Sequence, residues 1–304
     1  MEKIAYGGWP GCIRMTNGLI EIVATADVGP RIIRFGFVGG ENEFFEDETQ
    51  MGRTGAGEWL MFGGHRLWVA PEAKPRSYFP DSRPVGVDFR EKTLSLTAPI
   101  EPTTGIRKEI SVTLDPVQAQ VTVYHRLTNC GLWPVTLAPW ALSVMRKGGI
   151  AFFPQEEYAP HPDAPGASYL PVRSVALWSY TDLGDPRWRF TKKYVILRQD
   201  PAAVRALKFG ISNRKGWAAY LREGKLFVKK SMYIEGAVYP DRGSSFESFT
   251  NSDMLELETL GPLITLEPEE SVTHVEEWFL FKGVSAEETD ESIDANILSK
   301  VEKD

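Results

Sequence analysis

Hydrophobic and polar residues alternate along most of this chain with a period of two. In GLIEIVAT (18–25) the alternation runs up to a turn at Asp27 to Pro30, and IIRFGFVG follows as the second arm of a hairpin. The pattern returns in GIRKEISVTL (105–114), joined by a turn around Asp115 and Pro116 to QAQVTVYHRLT (118–128). After NCG it continues in LWPVTLAPWALSVM. Further strands are predicted at 193–198, 216–221, 225–229, 254–259 and 273–281. Many short strands separated by turns predict an all-β fold, a large antiparallel sandwich rather than a doubly wound sheet. The tail departs from the period of two. Ser285-Ala-Glu-Glu288 has the form of a capping box, and Ile293, Ile297 and Val301 recur every four residues, which predicts one amphipathic helix over about 285–302. With no glycine-serine linker, low-complexity tract or alignable repeat, 1–304 reads as a single domain with its core over about 15–282.

Composition narrows the function classes. At 304 residues and 42% hydrophobic the chain can bury a sizeable core. A net charge of -7 and a pI near 5.4, with no lysine-arginine run, disfavour nucleic acid and membrane surface as partners. The start, MEKIAYGGWPGC, lacks a secretory apolar stretch, and nowhere do about 18 apolar residues run together, so a soluble cytoplasmic protein is expected. Cys12 and Cys130 are far apart and belong to no CxxC or cysteine-histidine cluster. Two free thiols are expected rather than a disulfide, and no metal or cofactor is implied.

The densest polar chemistry lies in GGHRLWVAPE (63–72), followed by a segment carrying Pro75 and Pro80 that reads as a rim loop. Two glycines let the backbone approach closely and place His65 and Arg66 at a strand mouth. A cationic donor beside an imidazole suits a polyhydroxylated or acidic ligand; the plainer reading is a structural ion pair for Arg66 and a satisfied hydrogen-bonding role for His65. Trp68, two residues after Arg66, shares its strand face and offers a ring for a sugar to stack on. YPDRGSSFESFTNSDMLELETLGPL (239–263) reads as a loop dense in hydroxyl and carboxylate groups that leads into an alternating strand. In its MLELETL (254–260), Glu256 and Glu258 share one face and Leu255, Leu257 and Thr259 the other. Facing a concavity they form a carboxylate site fit for proton transfer; facing water they are surface charges. His125 shares a face with Val121, Val123 and Leu127 and reads as a core histidine. His161 sits in a proline-rich loop near Asp163, and His274 begins the last strand. No GxSxG elbow, phosphate-binding glycine loop or HExxH occurs.

Four stretches in order resemble the galactose mutarotase-like (aldose 1-epimerase) superfamily, in a divergent branch: NGLIEIVATADVGPRIIRFGF, GGHRLW, LTNCGLWPVTLAPWALSVM and LELETLGPLITLEPEESVTHVEEWFLF. The resemblance implies a large antiparallel supersandwich that holds a small-molecule sugar in its concave face. It puts Glu258, in LET, at the position of the base and Arg66 at that of the sugar-contacting arginine. It puts Trp140 where the family has its acid histidine, and an indole cannot serve as that acid. His65 or His161 is then the candidate proton donor, with Arg66 and Asp241 orienting hydroxyls and Trp68 or Trp140 stacking on the ring. A binding protein that keeps the cleft without turnover is the alternative. A third is a lyase or hydrolase on acidic sugars, with Arg31, Arg66 and Lys208 neutralising a carboxylate.

Overall fold

The computed structural model describes residues 1–159 and 170–302. Two antiparallel sheets of 11 and 10 strands lie face to face. In spatial order the first contains Glu2–Tyr6, Trp9–Thr16, Ile20–Thr25, Arg31–Phe37, His65–Ala70, Val135–Arg146, Met254–Leu260, Phe246–Thr250, Leu207–Ile211 and Val175–Leu177. The short Ile264–Leu266 pairs with the beginning of Val135–Arg146. The second contains Trp188–Phe190, Tyr194–Arg198, Ile150–Pro154, Trp217–Arg222, Lys225–Lys230, Ser271–Lys282, Gln120–Asn129, Ile106–Leu114, Thr93–Thr97 and Gly86–Arg90.

Alternation decides what each layer buries. Leu67, Val69, Leu255 and Leu257 of the first sheet meet Val121, Val123, Leu127, Trp278 and Leu280 of the second, forming the main core. The opposite face of the first sheet carries a separate cluster of Trp68, Ala70, Ala138, Trp140, Leu142 and Leu260, flanked by Trp59 and Tyr78. The two glycines before His65 are needed where they stand. Gly63 and Gly64 have φ of 99° and 71°, and an added Cβ would fall 2.0 Å from Phe45 O and 2.4 Å from Ile32 O respectively.

Two expectations require correction. Phe246–Thr250, which reads as hydroxyl-rich loop, is a central strand in which every residue but Phe249 is buried. The carboxy-terminal helix begins later than the Ser285 capping box: Thr289 is the N-cap and accepts from Ser292 N at 3.3 Å. Helical residues then run Asp290–Ile293, a π turn over Asp294–Leu298, and Ser299–Val301. A stripe repeating every four residues drifts around an ideal helix of 3.6 residues per turn, and the wider π turn takes up that drift. Ile293, Ile297 and Val301 consequently all reach Phe152, Tyr194, Trp217 and Phe279 on the outer face of the second sheet. No described helix is long and apolar enough to cross a membrane.

Candidate functional site

The outer face of the first sheet builds a cleft from the centre outwards. Directly paired residues of neighbouring strands point to the same side. Leu142 pairs with Arg66 on one flank and with Glu258 on the other, and Glu258 pairs with Glu247, so Arg66, Leu142, Glu258 and Glu247 form one row across four strands. Trp68 and Trp140 pair in the adjacent row. Loops raise walls around this floor. The result is a cleft of about 210 Å³ whose lining includes Trp59, Arg66, Trp68, Trp140, Lys208 and Glu256, with Glu72, Tyr78 and Tyr180 at its margin. A larger groove, about 660 Å³, runs beside the carboxy-terminal helix, but two of its lysines, Lys193 and Lys215, are paired with Asp294 and Glu157.

Every charge in the cleft has a specific neighbour. Arg66 Nη2 donates to Glu256 Oε1 at 2.9 Å, and its guanidinium lies 4.7 Å from the Trp68 ring centre and 5.4 Å from that of Trp59. Beneath them Glu258 is fully buried; the Trp140 indole donates to its Oε2 at 2.8 Å, and Lys208 Nζ stands 3.3 Å from the same oxygen. Lys208 also pairs with Glu247 at 2.9 Å and sits over the rings of Trp140 and Trp178, at 4.4 and 4.7 Å. Burial raises the pKa of Glu258 to about 7, with Glu256 adding to the shift and Lys208 and the Trp140 N–H opposing it. Burial likewise pushes Glu247 well above the usual carboxylate range, against the pull of Lys208 and with help from Glu258 and Asp241. For Lys208, burial disfavours the ammonium, but the carboxylates of Glu258 and Glu247 outweigh it and push its pKa up. In and beneath the cleft, Trp59 Nε1, Arg66 Nε, Glu258 Oε1 and both Glu247 oxygens are buried without a hydrogen-bond partner among the described residues.

Three other residues named from the sequence stand elsewhere. His65 is on the opposite side of its strand from Arg66 and Trp68, fully buried between the sheets. The alternation that unites Arg66 with Trp68 is the reason, so the expected acid role for His65 is corrected to a core position. Arg31 is also fully buried. Its guanidinium pairs with Asp81 at 2.7 Å and donates to Met61 O and Gly63 O, fastening the loop before the cleft strand rather than meeting the cleft. Asp241, at φ 48° in the turn Pro240–Gly243, lies near Glu247 and does not line the cleft. His161 lies outside the described residues.

Between the sheets a buried polar network gathers the other histidines. His125 Nδ1 lies 3.0 Å from His274 O, a carbonyl, and therefore donates to it; its Nε2 is then free to accept from His65 Nε2–H at 2.7 Å. His65 Nδ1 accepts from Ser143 Oγ, which receives a hydrogen bond from Lys229. His274 Nε2 donates to Thr259 Oγ1 at 2.7 Å, and Thr259 donates to Glu276 Oε1. Glu276 also accepts from Trp278 Nε1 and pairs with Lys229, each at 2.8 Å. His65, His125 and Glu276 bring one potential metal-ligand atom each within 4.8 Å of the others. Lys229 already sets a positive charge against that carboxylate, and each hydrogen in the chain of bonds has an acceptor.

By sequence, no family model and no curated protein matches the chain. Solved structures do. A candidate aldose 1-epimerase from Klebsiella pneumoniae superposes with a TM-score of 0.61 at 12% identity, covering 99% of this chain and 86% of the other. The chain has the galactose mutarotase-like fold. A galactose mutarotase-like protein from Lactobacillus casei gives 0.55 at 9% identity, with 89% and 100% covered. A candidate aldose 1-epimerase from Escherichia coli gives 0.52 at 12%, with 89% and 99% covered. Within the mutarotase-like fold of this chain, Glu247, buried beneath the cleft, and Trp59 and Tyr78, which line it, escape a reading of the sequence. FESFT sets its two phenylalanines three apart and so gives Glu247 no strand alternation, and Trp59 and Tyr78 come from loops with no periodicity to place them.

Proposed function

We propose that the protein binds a single sugar in this cleft and that Glu258 takes the proton of its anomeric hydroxyl, interconverting anomers through the open-chain form. The observation that carries this reading is the convergence of Arg66, Trp68, Trp140, Lys208 and Glu256 on one small cleft with Glu258 held directly beneath. Indole faces suit the apolar side of a sugar ring, and the unpartnered Trp59 Nε1 and Glu258 Oε1 suit its hydroxyls. A carboxylate with a pKa of about 7 is well matched to accepting a proton near neutrality.

The proton balance runs through Lys208. Glu258 accepts the hydrogen of the C1 hydroxyl; the O1 electrons form the carbonyl, the bond from C1 to the ring oxygen breaks, and that oxygen takes a proton from the Lys208 ammonium. Protonating Glu258 removes part of the negative charge that supports the ammonium, leaving burial to favour its loss of a proton. Rotation about the C1–C2 bond and the reverse transfers close the ring. Tyr78 is a weaker donor because its hydroxyl is bonded to Glu72, and burial pushes Tyr180 up to about 12. A neutral sugar fits better than an acidic one, since Arg31, Arg66 and Lys208 are already paired with Asp81, Glu256 and the Glu247–Glu258 pair.

Polarimetry of mutarotation across common aldoses tests the reading. The wild-type protein accelerates at least one, and Glu258→Gln loses roughly 10²–10⁴-fold of the acceleration. Binding without turnover is the second reading. It is favoured by the three described histidines all lying in the buried network and by the commitment of the Trp140 N–H to Glu258. Its signature is a sugar-dependent rise in melting temperature with no rate enhancement.

A further inference from the structure

One ammonium faces two buried carboxylates. Glu247 and Glu258 sit opposite each other on adjacent strands, both with no exposed surface, and Lys208 lies 2.9 Å from the first and 3.3 Å from the second. Their other charged or titratable neighbours add little positive charge. Asp241 acts on Glu247 from the 240–243 turn, Glu256 lies one step along the strand from Glu258 and is taken by Arg66, and Glu72 and Tyr180 are at the cleft margin. Lys229, buried on the facing second sheet, is bound to Glu276. Two buried negative charges against one positive charge is an unbalanced set, and the inexpensive remedy in a low-dielectric site is a proton. The hydrogen bonds indicate where it resides: Glu258 Oε2 receives the Trp140 N–H, which favours the ionised form, whereas Glu247 has its ion pair with Lys208 and neither of its oxygens has a hydrogen-bond partner among the described residues.

We propose that Glu247 and Glu258 hold one proton between them beside Lys208, carried mainly by Glu247. Glu247 is then a positioning residue: by staying neutral it leaves Lys208 to Glu258 and keeps Glu258 ionised to accept a further proton from a bound hydroxyl. The role in turnover rests on the proposed action of Glu258; the shared proton does not.

Carbon-13 NMR of protein labelled at the glutamate carboxyl carbons reads the proton directly. At about pH 8, above the value of about 7 for Glu258 and where solvated glutamates are ionised, the wild type is expected to show one protonated carboxyl. That signal disappears in Glu247→Gln and also in Glu258→Gln, because each variant leaves one carboxylate for one ammonium. Lys208→Met shows two protonated carboxyls. No protonated carboxyl in the wild type, or one that survives in either glutamine variant, overturns the proposal, and the wild-type titration decides even if a variant folds poorly. Where mutarotation is measurable, Glu247→Gln, which mimics the neutral side chain, leaves the acidic limb of the kcat/KM profile in place and moves the basic limb up, because the ionisation of Glu247 that would draw Lys208 away no longer occurs; a merely structural loss would lower the profile without moving either limb. Absence of mutarotation removes the catalytic reading and leaves the NMR result to stand by itself.

Discussion

Lys229→Met is expected to lower the free energy of unfolding by about 3–5 kcal/mol, measured by urea denaturation near neutral pH. Glu276 has no exposed surface, and among the described residues Lys229 is its only cationic partner closer than the neutral His65 ring, which stands 3.9 Å away. The same ammonium donates to Ala141 O and Leu257 O, two carbonyls of the facing sheet, so it joins the layers as well as balancing the charge. Methionine fills similar volume but leaves an uncompensated carboxylate in the core. The isolated ion is the costly species, so Lys229→Met combined with Glu276→Gln is expected to recover a substantial part of the loss. Thr259 and Trp278 can still hydrogen-bond the amide. A single substitution costing under about 1 kcal/mol, or a double one no better than the single, would show that the charge pair is not what stabilises this layer.

The contrast between this buried ion pair and the cleft above it explains how much the sequence disclosed. Period-two alternation marks GIRKEISVTL, QAQVTVYHRLT and MLELETL as strands, and the structure has strands at Ile106–Leu114, Gln120–Asn129 and Met254–Leu260. It also joins Glu256 with Glu258 and Arg66 with Trp68 on single faces. What alternation lacks is a label saying which face looks into a cleft and which into the core. One was nevertheless within reach for His65: if Arg66 faces a ligand, the residue beside it faces the other way. Pairing across distant segments is the second gap. Nothing near Glu258 in sequence announces that Glu247, eleven residues earlier across a turn, will lie opposite it, or that Lys208 will arrive from another strand. The same holds for Glu276 and Lys229, which in VEEW and FVKK look like ordinary strand charges until the two sheets close over them.

Acid is expected to destabilise the protein in two stages, and Glu258→Gln merges them. Burial lowers the pKa values of His125 and His274 to about 3 and that of His65 well below its ordinary value, so the folded state refuses protons that the unfolded chain takes up. Groups with depressed folded pKa values stabilise above the unfolded pKa of about 6.5 and lose that contribution as pH falls. Three such protons correspond to a slope of about 4 kcal/mol per pH unit. The cleft carboxylates act with the opposite sign. Glu258 has a folded pKa of about 7 and Glu247 is also raised, so on the way down to the ordinary carboxylate range the folded state binds protons that the unfolded chain still releases. Stability from this pair therefore grows as pH falls through 7 and levels off near 4.5. In the wild type the two effects oppose each other over that window, giving a shallow decline, and below it the histidines act without opposition. Glu258→Gln leaves Glu247 fully matched by Lys208 and removes the opposing uptake. Each proton lost from it steepens the decline between about pH 6.5 and 4.5 by about 1.4 kcal/mol per pH unit. Urea denaturation across a pH series checks this, and an unaltered slope in the variant would mean that the cleft carboxylates are ionised in the folded protein throughout.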